Sequence, residues 1–393
     1  MGLTEVEHRA LKSVFVQFFV NGAVVASYIP RLPEIRDQLD LSLPRIGLIL
    51  AVTTGIGVLG SVIQAPIIST FGTRRAMTVA SLVLVLGLAS VGFAVNTTAL
   101  VIALSVVAIS DVVTDVAMNM QGSSLSARRS SPVVNRLHGL WSLGTVVGGV
   151  ASSLAASAGV SLQTHLIVAS VVLAGALAYV APGLLPTDDG LLGSGSADEG
   201  AASPSKSALM VVLLFIALGG AAIVPEMLTS DWAAFRLADD LGAANGTAGL
   251  GYVAFTAGMV AGRFCADAIV DQHGPSRVLR IATGLTAVGT ALAMITPFIS
   301  VTLVGLVVTG LGVSVMFPQI YDAAVRSHVS KGALGGLTAG SRGALLLAPI
   351  IVGNLADTDA LSVGVSVATL TLPAAVLVLV LSREVSKGPA PVA

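Results

Sequence analysis

The chain has 393 residues, of which 54% are hydrophobic and 10% are charged, and its formal net charge is −1. Soluble domains usually carry about 25% charged residues, so this composition excludes an ordinary soluble protein and indicates an all-α integral membrane protein. The near-neutral charge gives no reason to expect nucleic acid as a partner. A single cysteine, Cys265, excludes an internal disulfide framework and a thiolate metal site, and we expect neither a metal nor a cofactor.

Apolar stretches of about 20 residues, the length that crosses a hydrocarbon core roughly 30 Å thick, predict twelve transmembrane helices. Six are expected in the first half, near residues 11–30, 44–68, 76–95, 98–121, 137–158 and 162–182. Six more are expected in the second half, near residues 208–229, 246–269, 278–297, 299–320, 333–353 and 361–381. Most of these stretches are rich in Gly, Ala, Ser and Thr, which allow helices to pack closely in lipid.

A polar stretch rich in Gly, Ser, Asp and Glu interrupts the chain between the sixth and seventh spans. It predicts a cytoplasmic linker at 186–207 between an amino-terminal six-helix bundle, 1–185, and a carboxy-terminal one, 208–393. With the amino terminus inside, fourteen lysines and arginines fall in cytoplasmic segments and four, Arg31, Arg36, Arg45 and Arg236, fall in outer ones. This bias predicts a multi-pass protein of the cell (inner) membrane with both termini in the cytoplasm.

The fourth span contains two carboxylates, Asp111 and Asp115, followed by Asn119, all at i, i+4 spacing on one helical face. Charged side chains at bilayer depth are costly and are kept where they face a cavity, a partner charge or a transported ion. Two carboxylates one turn apart cannot both ionise cheaply, so we expect them to titrate as a pair and to couple transport to protons. The alternative is that each is a buried structural hydrogen-bonding group.

Two further charges lie within predicted spans of the second half. Arg342, near the middle of the eleventh span, needs an acidic partner or an anionic substrate, and Asp111 or Asp115 is the expected partner. A purely structural salt bridge is the alternative for Arg342. Glu226 is placed near the outer end of the seventh span as a second proton site or a substrate contact, with Trp232 beyond it as an anchor at the membrane interface.

The two halves repeat a short loop, in which Gly72 is followed by Arg74 and Arg75 and, 202 residues later, Gly274 is followed by Arg277. This repeated loop resembles the Gly-x-x-x-Asp-Arg-x-Gly-x-Arg motif of the major facilitator superfamily. In the second half Asp271 occupies the acidic position and Asp267 the leading one. In the first half Ser69 and Ala65 stand there, so that copy is degenerate. The resemblance covers essentially the whole chain and implies two pseudo-symmetric six-helix bundles with a site between them. The residues it implies for the inner gate are Gly72, Arg74, Arg75, Arg263, Asp267, Asp271, Gly274 and Arg277.

A narrower resemblance is to the bacterial sugar-permease-like branch that includes fucose permease. It is carried by the segments 115–122 and 138–144, by Asp231-Trp232 after Glu226, and by Gly262-Arg263 with Asp267. Asn21 in the first span, with Trp141 and Ser142 in the fifth, offers the amide, aromatic and hydroxyl groups that a sugar-sized cavity needs. With Asn119 and Arg342 they make up the expected substrate cavity, although lone Asn and Trp residues in membrane bundles also serve helix packing.

These observations predict a secondary active transporter that moves a small polar solute, sugar-like or otherwise, by alternating access with proton coupling, and that functions as a monomer in the bilayer. Proton-driven efflux of drugs or metabolites is the alternative. Drug antiporters of this superfamily usually carry an Arg in the fourth span, which is absent here, and a Gly-Pro-x-x-Gly-Gly motif. The fifth span has the spacing of that motif with Thr145 in place of proline. Sodium coupling and facilitated diffusion stay open, because the first span offers Asn21 where sugar-permease relatives can carry an acid. The chain contains no His-Glu-x-x-His and no Walker loop, and an enzyme is not expected.

Overall fold

The computed structural model describes residues 4–128, 134–186, 206–327, 330–358 and 360–385, and within these ranges the regular secondary structure is helical, with no strand. The helices of the first half are α1 (Glu5–Tyr28), α2 (Leu32–Gln38), α3 (Leu43–Val91), α4 (Thr97–Ala127), α5 (Val134–Ser157) and α6 (Leu162–Val180). Those of the second half are α7 (Lys206–Phe235), α8 (Asn245–His273), α9 (Pro275–Ile295), α10 (Ile299–Val325), α11 (Ser330–Ala356) and α12 (Val363–Val385). Short 3₁₀ turns at Ile29–Arg31 and Ala181–Gly183 follow α1 and α6, and a π-helical turn, Arg236–Asp240, extends α7. The predicted linker, 186–207, lies almost entirely outside the described residues.

Eleven helical segments of the described chain are long and apolar enough to cross a membrane. One of them, α3, has 49 residues and is interrupted at Gly72, whose φ of 78° and ψ of 157° are not helical. At 1.5 Å per residue, 49 residues are more than twice as long as a hydrocarbon core is thick, so α3 comprises two spans joined at Gly72. The all-helical fold with twelve predicted spans is confirmed.

The chain divides into two compact units. Unit 1 comprises Met1–Leu41 with Val52–Ala197, and unit 2 comprises Ser42–Ala51 with Asp198–Ala393. In unit 1 the buried core lies where α1, the halves of α3, α4 and the end of α6 meet, around Phe18, Met77 and Met118. In unit 2 the largest buried side chains belong to α7 and α8 and include Trp232, Phe235 and Phe255.

Glycines bring pairs of helices into backbone contact in both units. In unit 1, a methyl group built on Gly144 of α5 would overlap the carbonyl oxygen of Phe19 on α1, and one on Gly22 of α1 would overlap the carbonyl oxygen of Trp141. In unit 2, Gly340 of α11 meets the backbone of Ile216 on α7 in the same way. The small residues predicted to permit close packing therefore lie where α1 meets α5 and where α7 meets α11.

Candidate functional site

Unit 1 brings three of the predicted polar residues together across three helices. The side-chain amide of Asn21 on α1 donates to Oδ1 of Asp111 on α4 at 2.8 Å. The indole Nε1 of Trp141 on α5 donates to Oδ1 of the same Asn21 at 2.9 Å. Asn21 is buried, whereas Asp111 and Trp141 are each partly accessible. We call this Trp141–Asn21–Asp111 arrangement the bridge.

The bridge depends on the close packing of α1 and α5. Since Gly22 and Gly144 let the two backbones touch, the side chains next to them are near enough for a direct hydrogen bond. The carbonyl oxygen of Trp141 also accepts from the Thr145 hydroxyl at 3.0 Å, one helical turn further along α5. Trp141 is therefore fixed at its backbone and at its ring nitrogen. Ser142, also predicted for the cavity, is buried.

One turn along α4, the second predicted carboxylate has different partners. The side-chain amide of Asn119 donates to Oδ1 of Asp115 at 3.0 Å and to its backbone carbonyl at 2.8 Å. The exposed imidazole of His138 on α5 lies within electrostatic range of the Asp115 carboxylate and makes an edge-on contact with Phe18, with ring centroids 5.5 Å apart. The two aspartates thus have different hydrogen-bond partners, Asp111 on another helix and Asp115 on its own, and their titration as a pair stays a prediction.

A second set of polar contacts in unit 1 was not predicted. Buried Gln17 of α1 donates to Ser81 of α3 at 2.8 Å, and Ser81 lies 3.5 Å from the hydroxyl of Thr114 on α4. Further along α4, Gln121 donates to the Thr73 hydroxyl at 3.1 Å and accepts from the backbone N–H of Leu185 at 3.2 Å. The hydrogen bond from Gln121 joins α4 to Thr73, the residue that follows the Gly72 break. The signal was present in the sequence as polar residues within apolar spans, but their partners lie 33 to 64 residues away.

In unit 2, the structure corrects the predicted position of Glu226. Helix α7 continues for nine residues past Glu226 to Phe235, and the π-helical turn extends it to Asp240, so Glu226 lies within the helix and not near its outer end. Trp232 is 0% exposed and packs against Phe235 with ring centroids 5.3 Å apart. The interpretation of Trp232 as an interface anchor is wrong, because a fully buried ring has no access to lipid headgroups.

Glu226 has an ionic partner on the next helix. Nη2 of Arg263 on α8 lies 3.2 Å from Oε1 of Glu226. This ion pair joins α7 to α8 inside unit 2. Arg342 is exposed on α11, in the other unit from the aspartates, and its pairing with them stays a prediction.

The repeated loop has the same backbone in both copies. Gly72 has φ and ψ of 78° and 157°, and Gly274 has 78° and 150°. This region is essentially restricted to glycine, which explains why both copies of the loop keep that residue. Around these turns Arg75, Asp267, Asp271 and Arg277 are exposed and Arg74 is half-buried. Their role in an inner gate stays a prediction.

Two arginines counted as outer-segment charges are in fact buried in ion pairs. Arg31 lies 2.6 Å from Glu34 and donates to the Val160 carbonyl at 2.8 Å. Arg236 lies 2.8 Å from Asp240, whose oxygens accept from the backbone N–H groups at the start of α12 at 2.7 and 3.0 Å. The acids three and four residues after each arginine were the available sequence signal.

Comparison with known proteins gives matches over both units. A sequence model described as Major Facilitator Superfamily matches residues 208–393. The uncharacterized transporter y4wD of Sinorhizobium fredii is 26% identical over 88% of this chain and 91% of its own length. An uncharacterized MFS-type transporter of Yersinia pestis is 27% identical over 92% of each chain. The second half of the chain therefore matches the major facilitator superfamily, and these two relatives, which match along most of the chain, are described as transporters.

A solved transporter structure has the same fold. The crystal structure of the nucleoside transporter NupG matches with a TM-score of 0.72 over 98% of this chain and 99% of its own, at 11% identity. The family-model match and the transporter relatives, taken with the membrane-spanning helices, make this protein a multi-pass membrane transporter of a small molecule and not an enzyme. The narrower resemblance to the fucose-permease branch stays a prediction.

Proposed function

We propose that this transporter moves a small polar solute by alternating access, and that proton binding at Asp111 is coupled to the movement. The observation that carries the proposal is the bridge. A carboxylate within a transmembrane helix is held there by the neutral amide of Asn21, which itself is held by the Trp141 indole. Intramembrane carboxylates are costly, so one kept with a neutral partner on a three-helix junction is a candidate for function.

A neutral partner suits reversible proton binding better than an arginine would. The Asn21 amide donates to one carboxylate oxygen, and it can do so whether or not the other oxygen carries a proton. Charging and discharging Asp111 therefore need not break an ion pair, which would leave an uncompensated buried cation. Protonation also converts the free oxygen of Asp111 from an acceptor into a donor, so the group that a solute meets differs between the two states.

The accessible groups around the bridge favour a solute with both polar edges and an apolar face. The half-buried ring of Trp141 can stack on such a face, and Asp115 and Asn119 lie one and two turns along α4 from Asp111. Sugars, polyols and nucleosides all combine a ring with several hydroxyls. Nucleosides join the test panel because the structural neighbour NupG is a nucleoside transporter.

The test uses purified full-length protein in proteoliposomes, with radiolabelled sugars, polyols and nucleosides offered one at a time. We expect an inward proton gradient to drive accumulation of one class by the wild type. Asp111→Asn should lose this accumulation while retaining exchange of labelled for unlabelled solute across the membrane. The matched control is Asp37→Asn, which removes a carboxylate from the exposed end of α2 and should accumulate solute like the wild type.

Three outcomes would overturn the coupling part of the proposal. These are accumulation by Asp111→Asn equal to that of wild type, accumulation that follows a sodium gradient, or flux that no gradient accelerates. Solute extrusion driven by an inward proton gradient would instead favour efflux, the alternative direction.

The proposal includes a topology in the cell (inner) membrane, with both termini in the cytoplasm and a monomer as the functional form. Its basis is the bias of lysine and arginine between the loops. In a Cys265→Ala background, a cysteine at Arg280 should react with an impermeant maleimide only after the cells are opened, and one at Asp37 should react in intact cells. The reverse pattern would overturn the orientation.

A further inference from the structure

A cavity of about 750 Å³ lies on unit 1, away from the bridge. It is lined by both spans of α3, by α4 and by the 3₁₀ turn after α6. Most of its lining is apolar, including Ile67, Phe71, Val79 and Val83, and two of these side chains are widely exposed, Phe71 at 57% and Val79 at 60%. Its volume is within the roughly 300–1,000 Å³ range of pockets that hold ligands. We call this cavity the α3 groove.

Two guanidinium groups lie at one end of the α3 groove. Arg74 and Arg75 line it directly after the Gly72 break. Within the described part of the chain neither arginine forms an ion pair with a carboxylate. The equivalent loop of unit 2 has acids at Asp267 and Asp271, whereas the corresponding positions of unit 1 are Ala65 and Ser69. The loop of unit 1 therefore supplies cations without the acids that would neutralise them locally.

The length of the α3 groove matches one leaflet of a bilayer. From Arg74 it follows α3 to Val83, nine residues further on, which is about 14 Å at 1.5 Å per residue. Half of a hydrocarbon core roughly 30 Å thick is about 15 Å. An apolar groove of this length, with arginines only at its loop end, can accommodate a phospholipid. The acyl chain would lie along α3 and the headgroup would lie at the loop.

We propose that the α3 groove binds an anionic phospholipid, whose acyl chain packs against Phe71, Val79 and Val83 and whose phosphate is bound by Arg74 and Arg75. Charge complementarity selects an anionic headgroup, since basic residues at the membrane surface attract anionic lipids with about 1 kcal/mol each. The Thr78 hydroxyl donates to the Arg74 carbonyl at 2.8 Å, so the two guanidinium groups are the main donors available to the phosphate. The site does not involve the bridge and does not depend on the proposed transport cycle.

The test measures retention of dioleoyl phosphatidylglycerol, with dioleoyl phosphatidylcholine as the neutral comparison, by native mass spectrometry of the purified full-length protein. We expect phosphatidylglycerol to be retained preferentially. Arg74→Gln with Arg75→Gln should weaken its binding about thirtyfold, the equivalent of about 2 kcal/mol. The control, Arg136→Gln with Arg280→Gln, removes two exposed arginines outside the groove and should retain the lipid.

A second variant tests the acyl-chain part with both arginines in place. Val79→Trp should fill part of the groove and reduce retention, whereas Val171→Trp, on an exposed face of α6, should not. Size-exclusion profiles and circular dichroism identify any variant that has failed to fold. Equal retention of the two lipids, or retention unchanged in the double arginine variant, would overturn the proposal. If short-chain dihexanoyl phosphatidylglycerol binds as well as the long-chain lipid and inorganic phosphate displaces both, the site is a free-phosphate site and the lipid proposal is wrong.

Discussion

Replacing Gly144 by alanine should separate α1 from α5 and break the bridge at a distance. The added methyl group would overlap the Phe19 carbonyl oxygen and lie 2.9 Å from its carbonyl carbon, and both atoms belong to backbone that cannot rotate away. Carbon atoms pack best at about 3.5–4.0 Å, so the two helices must separate by about 1 Å. The Trp141 to Asn21 hydrogen bond, now 2.9 Å long, would then exceed hydrogen-bonding distance.

The free energy of unfolding should fall by an amount that can be estimated from these contacts. Forcing the helices apart costs about 1–3 kcal/mol, and the lost hydrogen bond costs about 0.5–1.5 kcal/mol. Alanine regains roughly 0.5–1 kcal/mol of helix propensity, so the net loss is about 0.5–4 kcal/mol. Gly175→Ala on α6 is the matched control, because its methyl group meets no atom within 4 Å and only the propensity gain applies.

The assay combines thermal unfolding in detergent with the emission of Trp141 in a Trp232→Phe background. We expect Gly144→Ala to unfold several degrees below the control and to show a shifted Trp141 emission, since the indole N–H loses its acceptor. Unchanged stability and emission would refute the argument that glycine packing holds the bridge together.

Three other experiments test separate parts of the structure. Gly72→Ala should cost about 1–3 kcal/mol of unfolding free energy, because alanine cannot adopt the backbone conformation of Gly72 without strain. Thermal unfolding at the wild-type temperature would contradict this prediction. Arg236→Met should cost about 3–5 kcal/mol of unfolding free energy, because it leaves the buried Asp240 carboxylate without its ion-pair partner. Arg326→Met should change little, because the side chains of Arg326 and Asp322 are 60% and 59% exposed. Equal effects of the two substitutions would show that burial does not decide the contribution of these ion pairs. A double-mutant cycle of Glu226→Gln and Arg263→Gln should give a coupling of about 0.5–1 kcal/mol in unfolding free energy. The coupling is modest because the Arg263 side chain is partly exposed. Additive effects of the two substitutions would show that the ion pair contributes nothing to stability.

The features predicted correctly from sequence depend on short stretches of chain. Span positions follow from apolar stretches of about 20 residues, and the break at Gly72 follows from a loop motif repeated at Gly274. In both cases the physical cause is local: the thickness of the hydrocarbon core, and a backbone conformation reserved for glycine.

The error in α7 arose where local reasoning fails. Acidic residues at 226 and 231 reduce hydropathy and suggested that the span ends near 229. The helix continues past this point, and two of its charged residues have partners within the protein: Glu226 pairs with Arg263, and Arg236 pairs with Asp240. A hydropathy scale counts each charged residue as if it had no partner. The predicted end of a span therefore falls too early when the charged residues beyond it are paired within the protein.

The site itself depends on pairings that sequence spacing does not contain. Asn21 and Asp111 are separated by 90 residues and Asn21 and Trp141 by 120. The periodicity of α4 correctly grouped Asp111, Asp115 and Asn119 on one face, but it could not tell which of them would meet another helix.

The bridge also changes what the missing acid in the first span means. Asn21 stands where sugar-permease-like relatives can carry a carboxylate, and its neutral side chain left sodium coupling and facilitated diffusion open. In the structure Asn21 donates to the carboxylate of the fourth span, so the first span supports that acid instead of providing one. An acid at position 21 would place a second negative charge about 3 Å from Asp111, and two carboxylates so close cannot both ionise. On the proposed mechanism, Asp111 with its neutral partner Asn21 is therefore sufficient for proton coupling, and no acid is needed in the first span. The test is the loss of gradient-driven accumulation in Asp111→Asn.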